Sequence, residues 1–321
     1  MPPIVVVRPQ SGYANRLQSI ASAWILAEKL HSRLLVDWIP DPRVAPVGLD
    51  SVLDLRVCGA FQDSVEEALS EFGVSAQPLP RYLHFDRDAG LVTLAGMERG
   101  EQHFMPELKA LLESQRVRAI VISAGGKFTL EGGNVLTAAQ AAMFRRERWG
   151  TYGRLLLHPE VEAGAKRAIG ERQAFDGLHL RYSDRALESP WPRSIISALI
   201  ALRDRSESDS LFIASDNAIA KSRWLEQATN LGWKAWTVDS GNLPRDDPRS
   251  SLEALIDWRV LSLAHSLVYF RASSFAEEAA VAGGSYDRST PLTATRSRRA
   301  WMRICEYGAA LRSYPQSHGW R

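Results

Sequence analysis

Apolar positions recur along this chain with two different periods. Ile4 to Val7 is an unbroken β-branched run, as expected of a central parallel strand covered on both faces. From about residue 15 to 31 the period lengthens. Leu17, Ile20, Ala21, Trp24, Ile25, Ala27 and Leu30 share one broad stripe, which predicts an amphipathic helix. The stretch "RLLVDW" then predicts a second buried strand. The chain therefore opens with the strand–turn–helix–strand unit of a doubly wound sheet. A further strand, "VRAIVISAG" at 117–125, ends in a glycine turn.

The middle of the chain, "RRERWGTYGRLLLHPEVEAGAKRA", is charged and helical, with Pro159 as punctuation. A boundary there divides the chain into residues 1–158 and 159–321. In the second part strands and helices alternate: "FDGLHLRY" with "SIISALIALRDR", "SLFIASDN" with "KSRWLEQATNLG", "KAWTVDS" with "SSLEALIDWRVLSLA", and "SLVYFRASSF" with "AEEAAVAGG". Four such pairs in order predict a parallel sheet. The expected fold class is α/β, with two Rossmann-like domains facing each other across a cleft.

Composition narrows the function classes. At 321 residues the chain is long for one core, which agrees with two domains. Its 39 basic and 37 acidic residues leave no nucleic-acid footprint. Cys58 and Cys305 build neither a disulfide framework nor a metal site. No apolar run is long enough to span a bilayer, and "MPPIVVVRPQ" reads as a first strand rather than a signal. The expectation is a cytoplasmic protein with no integral membrane contact and no nucleic-acid partner.

In open α/β sheets ligands bind beyond the carboxyl ends of the strands, so the turns there carry the chemistry. Four stand out. Gly12 and Ala14 keep the first turn small, and Asn15 and Arg16 stand at a helix start that favours anions, although Asn15 serves equally well as an N-cap. In "GLHLRYSD", His179 and Arg181 are two residues apart on a strand and share a face, where a buried guanidinium calls for an anion such as phosphate. In "FIASDNA", Asp216 offers paired oxygens that match the two N–H donors of a guanine edge, while the same segment also reads as a helix cap. In "YFRASSFAEEAA", Ser273 and Ser274 open a helix as caps or as a phosphate cradle. Together the four describe a nucleoside-diphosphate site.

These motifs resemble the GT-B fucosyltransferase superfamily, which contains the nodulation and core α-1,6-fucosyltransferases and the protein O-fucosyltransferases. "SGYANRLQSIASAWILAEKLHSRLLVDW" is similar to their N-terminal glycine–Asn motif. "GLHLRYSDRA" is similar to their H-x-R motif, "LFIASDN" to their hydrophobic-S/T-D segment, and "SLEALIDWRVLSLAHSLVYFRASSFAEEAA" to their last nucleotide motif. The resemblance covers residues 1–40 and roughly 175–285 and leaves 41–150 unmatched. It implies an inverting transferase that needs no cofactor and no metal, moving fucose or a related sugar from a GDP-sugar to the hydroxyl of a glycan or small-molecule acceptor. His179 and Asp216 would contact guanine. Arg181 would hold the pyrophosphate and stabilise the leaving GDP, Ser273, Ser274 and Phe275 would close around the phosphates, and Gly12, Asn15 and Arg16 would meet the donor from the other domain.

Two departures bear on activity. Several relatives carry a second Arg after the first, where this chain has Tyr182, and Glu188 stands one residue short of their acidic base candidate. A non-catalytic GDP-sugar-binding protein, or another sugar-nucleotide enzyme on the same fold, is therefore the alternative. Asp86-Arg87-Asp88 has the D-x-D form of metal-dependent transferases but lies outside the matched motifs and reads as a turn. "SAGGKFTLEGG" around Lys127 lacks the order of a phosphate loop and suits an acceptor-side loop.

Overall fold

A computed structural model describes residues 2–54, 56, 61, 64–74, 82–95, 104–130, 136–182, 189–238, 247–297 and 300. Glu188, the two cysteines and residues 301–321, where "RRAWMRICEYGAAL" reads from the sequence as a C-terminal helix, lie outside the described residues.

Two five-stranded sheets organise the chain. The first is ordered β2-β1-β5-β4-β3, from strands β1 (Ile4–Pro9), β2 (Leu34–Val36), β3 (Tyr82–Asp86), β4 (Leu91–Ala95) and β5 (Ala119–Ala124). Only β3 runs antiparallel. The second is ordered β10-β9-β6-β7-β8 and is wholly parallel. Its strands are β6 (Asp176–Leu180), β7 (Ser210–Ser215), β8 (Lys234–Trp236), β9 (Leu267–Phe270) and β10 (Thr290–Leu292). The architecture is α/β, with two Rossmann-like halves, as the alternation of periods predicts.

The helices are α1 (Tyr13–Lys29), α2 (Val65–Glu71), α3 (Phe104–Ser114), α4 (Ala138–Tyr152), α5 (Pro159–Ile169), α6 (Pro192–Arg205), α7 (Ala218–Asn230), α8 (Pro248–Leu263) and α9 (Ser274–Ala282). Local chemistry explains their starts. Pro159, Pro192 and Pro248 each open a helix, where a missing N–H costs nothing and the fixed φ is already helical. Thr137 and Gln140 form a reciprocal capping box on α4.

Strand alternation sends side chains into different cores. Leu178 and Leu180 pack beneath α6 and α7 with Ile195, Leu199 and Trp224. On the other face, Phe212, Ala214 and Tyr269 join a larger core that continues through α8 and α9 into Leu17, Ile20 and Ile122 of the first half. One apolar core thus passes from sheet to sheet through the helices between them. Close approach there requires glycine. A Cβ at Gly283 would stand 1.7 Å from the Ser262 carbonyl oxygen, and one at Gly177 would stand 2.4 Å from Leu267.

Two elements differ from the sequence expectation. β3 and β4 form an antiparallel hairpin inside the stretch that matched no motif. Its turn is the D-x-D tripeptide, where an Asp86 carboxylate oxygen accepts from the Asp88 and Ala89 amides at 3.0 and 3.1 Å. β10 adds a further parallel edge strand.

Candidate functional site

The carboxyl ends of β6, β7 and β9 lie side by side, because β6 pairs with both of the other strands. His179, one residue before the end of β6, is 5% exposed. Its ring lies over Phe275 in the first turn of α9, with centroids 5.2 Å apart and planes 27° apart. Its Nδ1 is buried without a hydrogen-bond partner. Burial pushes the imidazole down to about 4, with Asp216 opposing and Arg181 adding to the shift. A neutral imidazole with an unsatisfied nitrogen stands ready to meet a ligand's polar group.

The next residues keep the alternation. Tyr182 turns toward the α6–α7 side, edge-on to Phe270 at 5.6 Å, with its hydroxyl accepting from the Trp224 indole at 3.3 Å. The residue that stands where relatives carry a second Arg therefore fills a core. Arg181 follows Leu180 and is half-buried at the strand end. Asp216 closes β7 and is exposed, and one carboxylate oxygen accepts from the Tyr182 backbone N–H at 2.8 Å. That bond ties the β6 and β7 turns together. Asn217, not Asp216, caps α7, accepting from the Ala220 amide at 2.9 Å.

Helix α9 starts directly beside His179. Ser273 is fully buried, and its hydroxyl caps the helix by accepting from the Ala276 amide at 3.5 Å. The cap occupies that one donor. The amides of Ser274 and Phe275 belong to the first turn, where no intrahelical carbonyl accepts from them, the arrangement that favours an anion at a helix start.

On the opposite side, α1 begins at Tyr13 with Gly12 as its N-cap, which makes Asn15 the third helical residue and not the cap. A Cβ at Gly12 would meet nothing within 4 Å, so the backbone there borders open space. The turn's unusual backbone belongs to Ser11, with φ +66°. Asn15 is half-buried, three residues before Gln18, and on a helix that spacing puts both on one face. Gln18 reaches α9, donating to Glu278 at 2.7 Å. Arg16, by contrast, is 2% exposed and turned inward. Its guanidinium donates to the carbonyls of Ser11 and Ile39, both at 2.8 Å, and lies 4.5 Å over the Trp38 ring. In this position Arg16 braces the turn.

Asp257 was not anticipated, and Lys127, read from the sequence as part of an acceptor-side loop, has a partner that was not. Asp257 on α8 is 8% exposed, with one oxygen unpartnered and its pKa pushed up to about 7 by burial, which Lys221 at 3.8 Å opposes. Lys221 lies in the first turn of α7, just beyond the carboxyl end of β7, so Asp257 stands near the same turns. Lys127, beyond the end of β5, pairs at 2.5 Å with Glu277 in α9. A separate cavity of about 370 Å³, lined by Arg172, Asp209, Lys234 and Trp236, lies at the amino ends of β7 and β8, away from these residues.

No protein-family model matches the sequence, nor does any curated protein sequence. Solved structures do resemble it. A point mutant of Arabidopsis thaliana FUT1 in complex with GDP shares 15% identity at a TM-score of 0.59, over 92% of this chain and 72% of that one. The fucosyltransferase NodZ from Bradyrhizobium shares 18% at 0.52, over 87% and 93%. POFUT1 in complex with GDP-fucose shares 12% at 0.51, over 92% and 98%. The chain has the GT-B fold of these fucosyltransferases. At such identities the likeness concerns the fold, and the chemistry of the site rests on this chain's own residues.

Proposed function

We propose that this protein is a glycosyltransferase that moves fucose, or a related sugar, from a GDP-sugar to an acceptor hydroxyl. The observation that carries the reading is the buried, unsatisfied Nδ1 of His179, stacked against the first turn of α9, where two backbone amides await an anion. A nucleoside diphosphate supplies both complements, a polar base or ribose edge and a phosphate. The fold supports the choice of nucleotide, because FUT1, NodZ and POFUT1 are described in complex with GDP or GDP-fucose.

In this reading residues 159–321 hold the donor and residues 1–158 present the acceptor side. Arg181 meets the negative charge that builds on the departing diphosphate, as a preorganised guanidinium can do without a metal ion. The acceptor oxygen bonds to the anomeric carbon as that carbon's bond to the phosphate oxygen breaks, inverting it through an oxocarbenium-like transition state, and the hydroxyl proton passes to a general base, for which Glu188 is the candidate. The guanine edge, with two N–H donors, calls for a carboxylate. Asp216 is the candidate from the motif, and Asp257 competes for the role because its oxygen is buried and unpaired whereas Asp216 already accepts from Tyr182.

Calorimetric titration with GDP, UDP and ADP in the presence of EDTA tests the donor. Binding of GDP in preference to the other two is the expected result, and equal binding of all three would refute the guanine assignment. If GDP binds, Arg181→Ala should abolish transfer from GDP-fucose. Retained transfer in a folded variant would remove Arg181 from the mechanism. A protein that binds GDP-fucose but neither hydrolyses it nor transfers its sugar to any acceptor would favour the non-catalytic alternative.

A further inference from the structure

We infer that Lys127 is the second cation of the diphosphate site, supplied from the opposite half of the molecule and released from Glu277 when the phosphates arrive. The inference rests on the GDP-sugar reading above and adds a residue and a coupling to it.

The argument begins with a deficit of charge. A nucleoside diphosphate carries more negative charge than one guanidinium neutralises, and the position after Arg181 is occupied by Tyr182. That side chain is committed to Phe270 and Trp224 and brings no charge. A cation reaching in from the opposite half would make up charge that Tyr182 does not bring.

Lys127 is placed to be that cation. It follows β5 in a loop fixed to α1: the Gly126 amide donates to the Ser19 hydroxyl at 3.2 Å, and the Phe128 amide donates to the Ser22 hydroxyl at 3.1 Å. The backbone under Lys127 is thus held, while its side chain keeps 39% of its surface exposed. Its ammonium reaches across to Glu277, the fourth residue of α9. Within the same turn are the first-turn amides of Ser274 and Phe275, and on Phe275 lies the His179 ring with its unsatisfied nitrogen. One helical turn spans about 5.4 Å, within the swing of a four-carbon stem.

The exchange is physically reasonable in both directions. With Lys127 39% and Glu277 21% exposed, solvent screens the pair in part and limits what it gains over its separated charges. A phosphate oxygen at the helix start offers a stronger, charge-assisted bond, helped by the helix dipole. Glu277, left behind in the first turn, keeps the favourable field of that dipole. Because Lys127 belongs to the first half and the phosphates to the second, the exchange joins the halves across the donor.

The test is titration of the full chain with guanosine, GMP and GDP, followed by the same series for Lys127→Met and Glu277→Gln. Lys127→Met should weaken GDP binding about ten-fold and leave guanosine unchanged, as expected for one lost charge-assisted contact to phosphate. Glu277→Gln should tighten GDP about two- to five-fold by freeing Lys127, and most of that gain should vanish in the double variant. An ion pair that only stabilised the fold would instead weaken all three ligands alike in both single variants. That result, or GDP affinity unaltered by Lys127→Met, would overturn the inference while leaving the GDP-sugar reading intact. Failure of the unmodified protein to bind GDP at all would defeat the reading itself.

Discussion

Glu278 offers the sharpest test of how the two halves are held together. It is fully buried in α9, and three side chains of the first half converge on it. Arg148 in α4 donates to its two oxygens at 2.6 and 2.8 Å, the Tyr152 hydroxyl donates at 2.8 Å, and the Gln18 amide in α1 donates at 2.7 Å. Arg148 is itself 1% exposed. Glu278→Ala removes the acceptor and leaves that guanidinium buried without a counter-ion, which costs about 3–5 kcal/mol. The orphaned tyrosine hydroxyl and glutamine amide each add about 1–3 kcal/mol. The groups share one network, so their costs do not simply add, and the whole loss should be about 4–6 kcal/mol. Guanidinium chloride unfolding followed by tryptophan fluorescence would measure it, with Trp258, 5.8 Å from Tyr152, as a local reporter. Replacing the whole network together, in Gln18→Leu, Arg148→Met, Tyr152→Phe, Glu278→Leu, should recover most of the loss, because an apolar set of similar volume leaves none of these partners unpaired. A Glu278→Ala variant within about 1 kcal/mol of the parent would mean that water reaches Arg148, and the burial argument would fail.

Two further outcomes are expected. Arg16→Met should lower stability by about 2–4 kcal/mol, since two charged hydrogen bonds to the Ser11 and Ile39 carbonyls are lost; an unaltered melting temperature with weakened donor binding would make Arg16 a ligand contact instead of a brace. His179, lowered to about 4, leaves the unfolded chain binding more protons between pH 4 and 6.5, so its contribution is lost as pH falls through that window. Asp257, raised to about 7, gives the folded chain the extra proton between about 4 and 7, so its contribution is lost as pH rises. The two slopes oppose each other. Asp257→Asn should therefore expose an acid-side loss of about 3 kcal/mol between pH 6.5 and 4 that the parent masks. Superimposable stability profiles for the two proteins would show that Asp257 does not titrate in this range.

Much of the fold could be read along the chain because parallel strands buried on both faces leave unbroken apolar runs, as in Ile4–Val7 and in Leu211–Ala214. The β3–β4 hairpin left a weaker trace. It sits at a sheet edge, where Leu83 and Phe85 alternate with exposed neighbours over five residues. β10 is three residues long with Pro291 at its centre, a composition that reads as loop. In the site, the place of His179 near the carboxyl end of a buried strand followed from the apolar run around it. The inward turn of Arg16 did not, because its acceptors are backbone carbonyls that only the fold brings together. Asp257 was equally hidden. A carboxylate between Ile256 and Trp258 gives no sign that its helix is covered on that side, or that Lys221 of another helix approaches it.

The placement of charge on α9 explains why an anion site needs both halves. Glu277 and Glu278 stand in its first two turns, where the helix dipole favours carboxylates but where they would repel a diphosphate at the same N-terminus. Each is matched by a cation from the first half, Glu277 by Lys127 and Glu278 by Arg148. The second match is buried and permanent and cancels a charge that a ligand would otherwise feel. The first is half-exposed and exchangeable, so the same lysine that masks Glu277 in the empty site can neutralise phosphate in the filled one. The positive field around the Ser274 and Phe275 amides is therefore built between the two sheets and belongs to neither half alone.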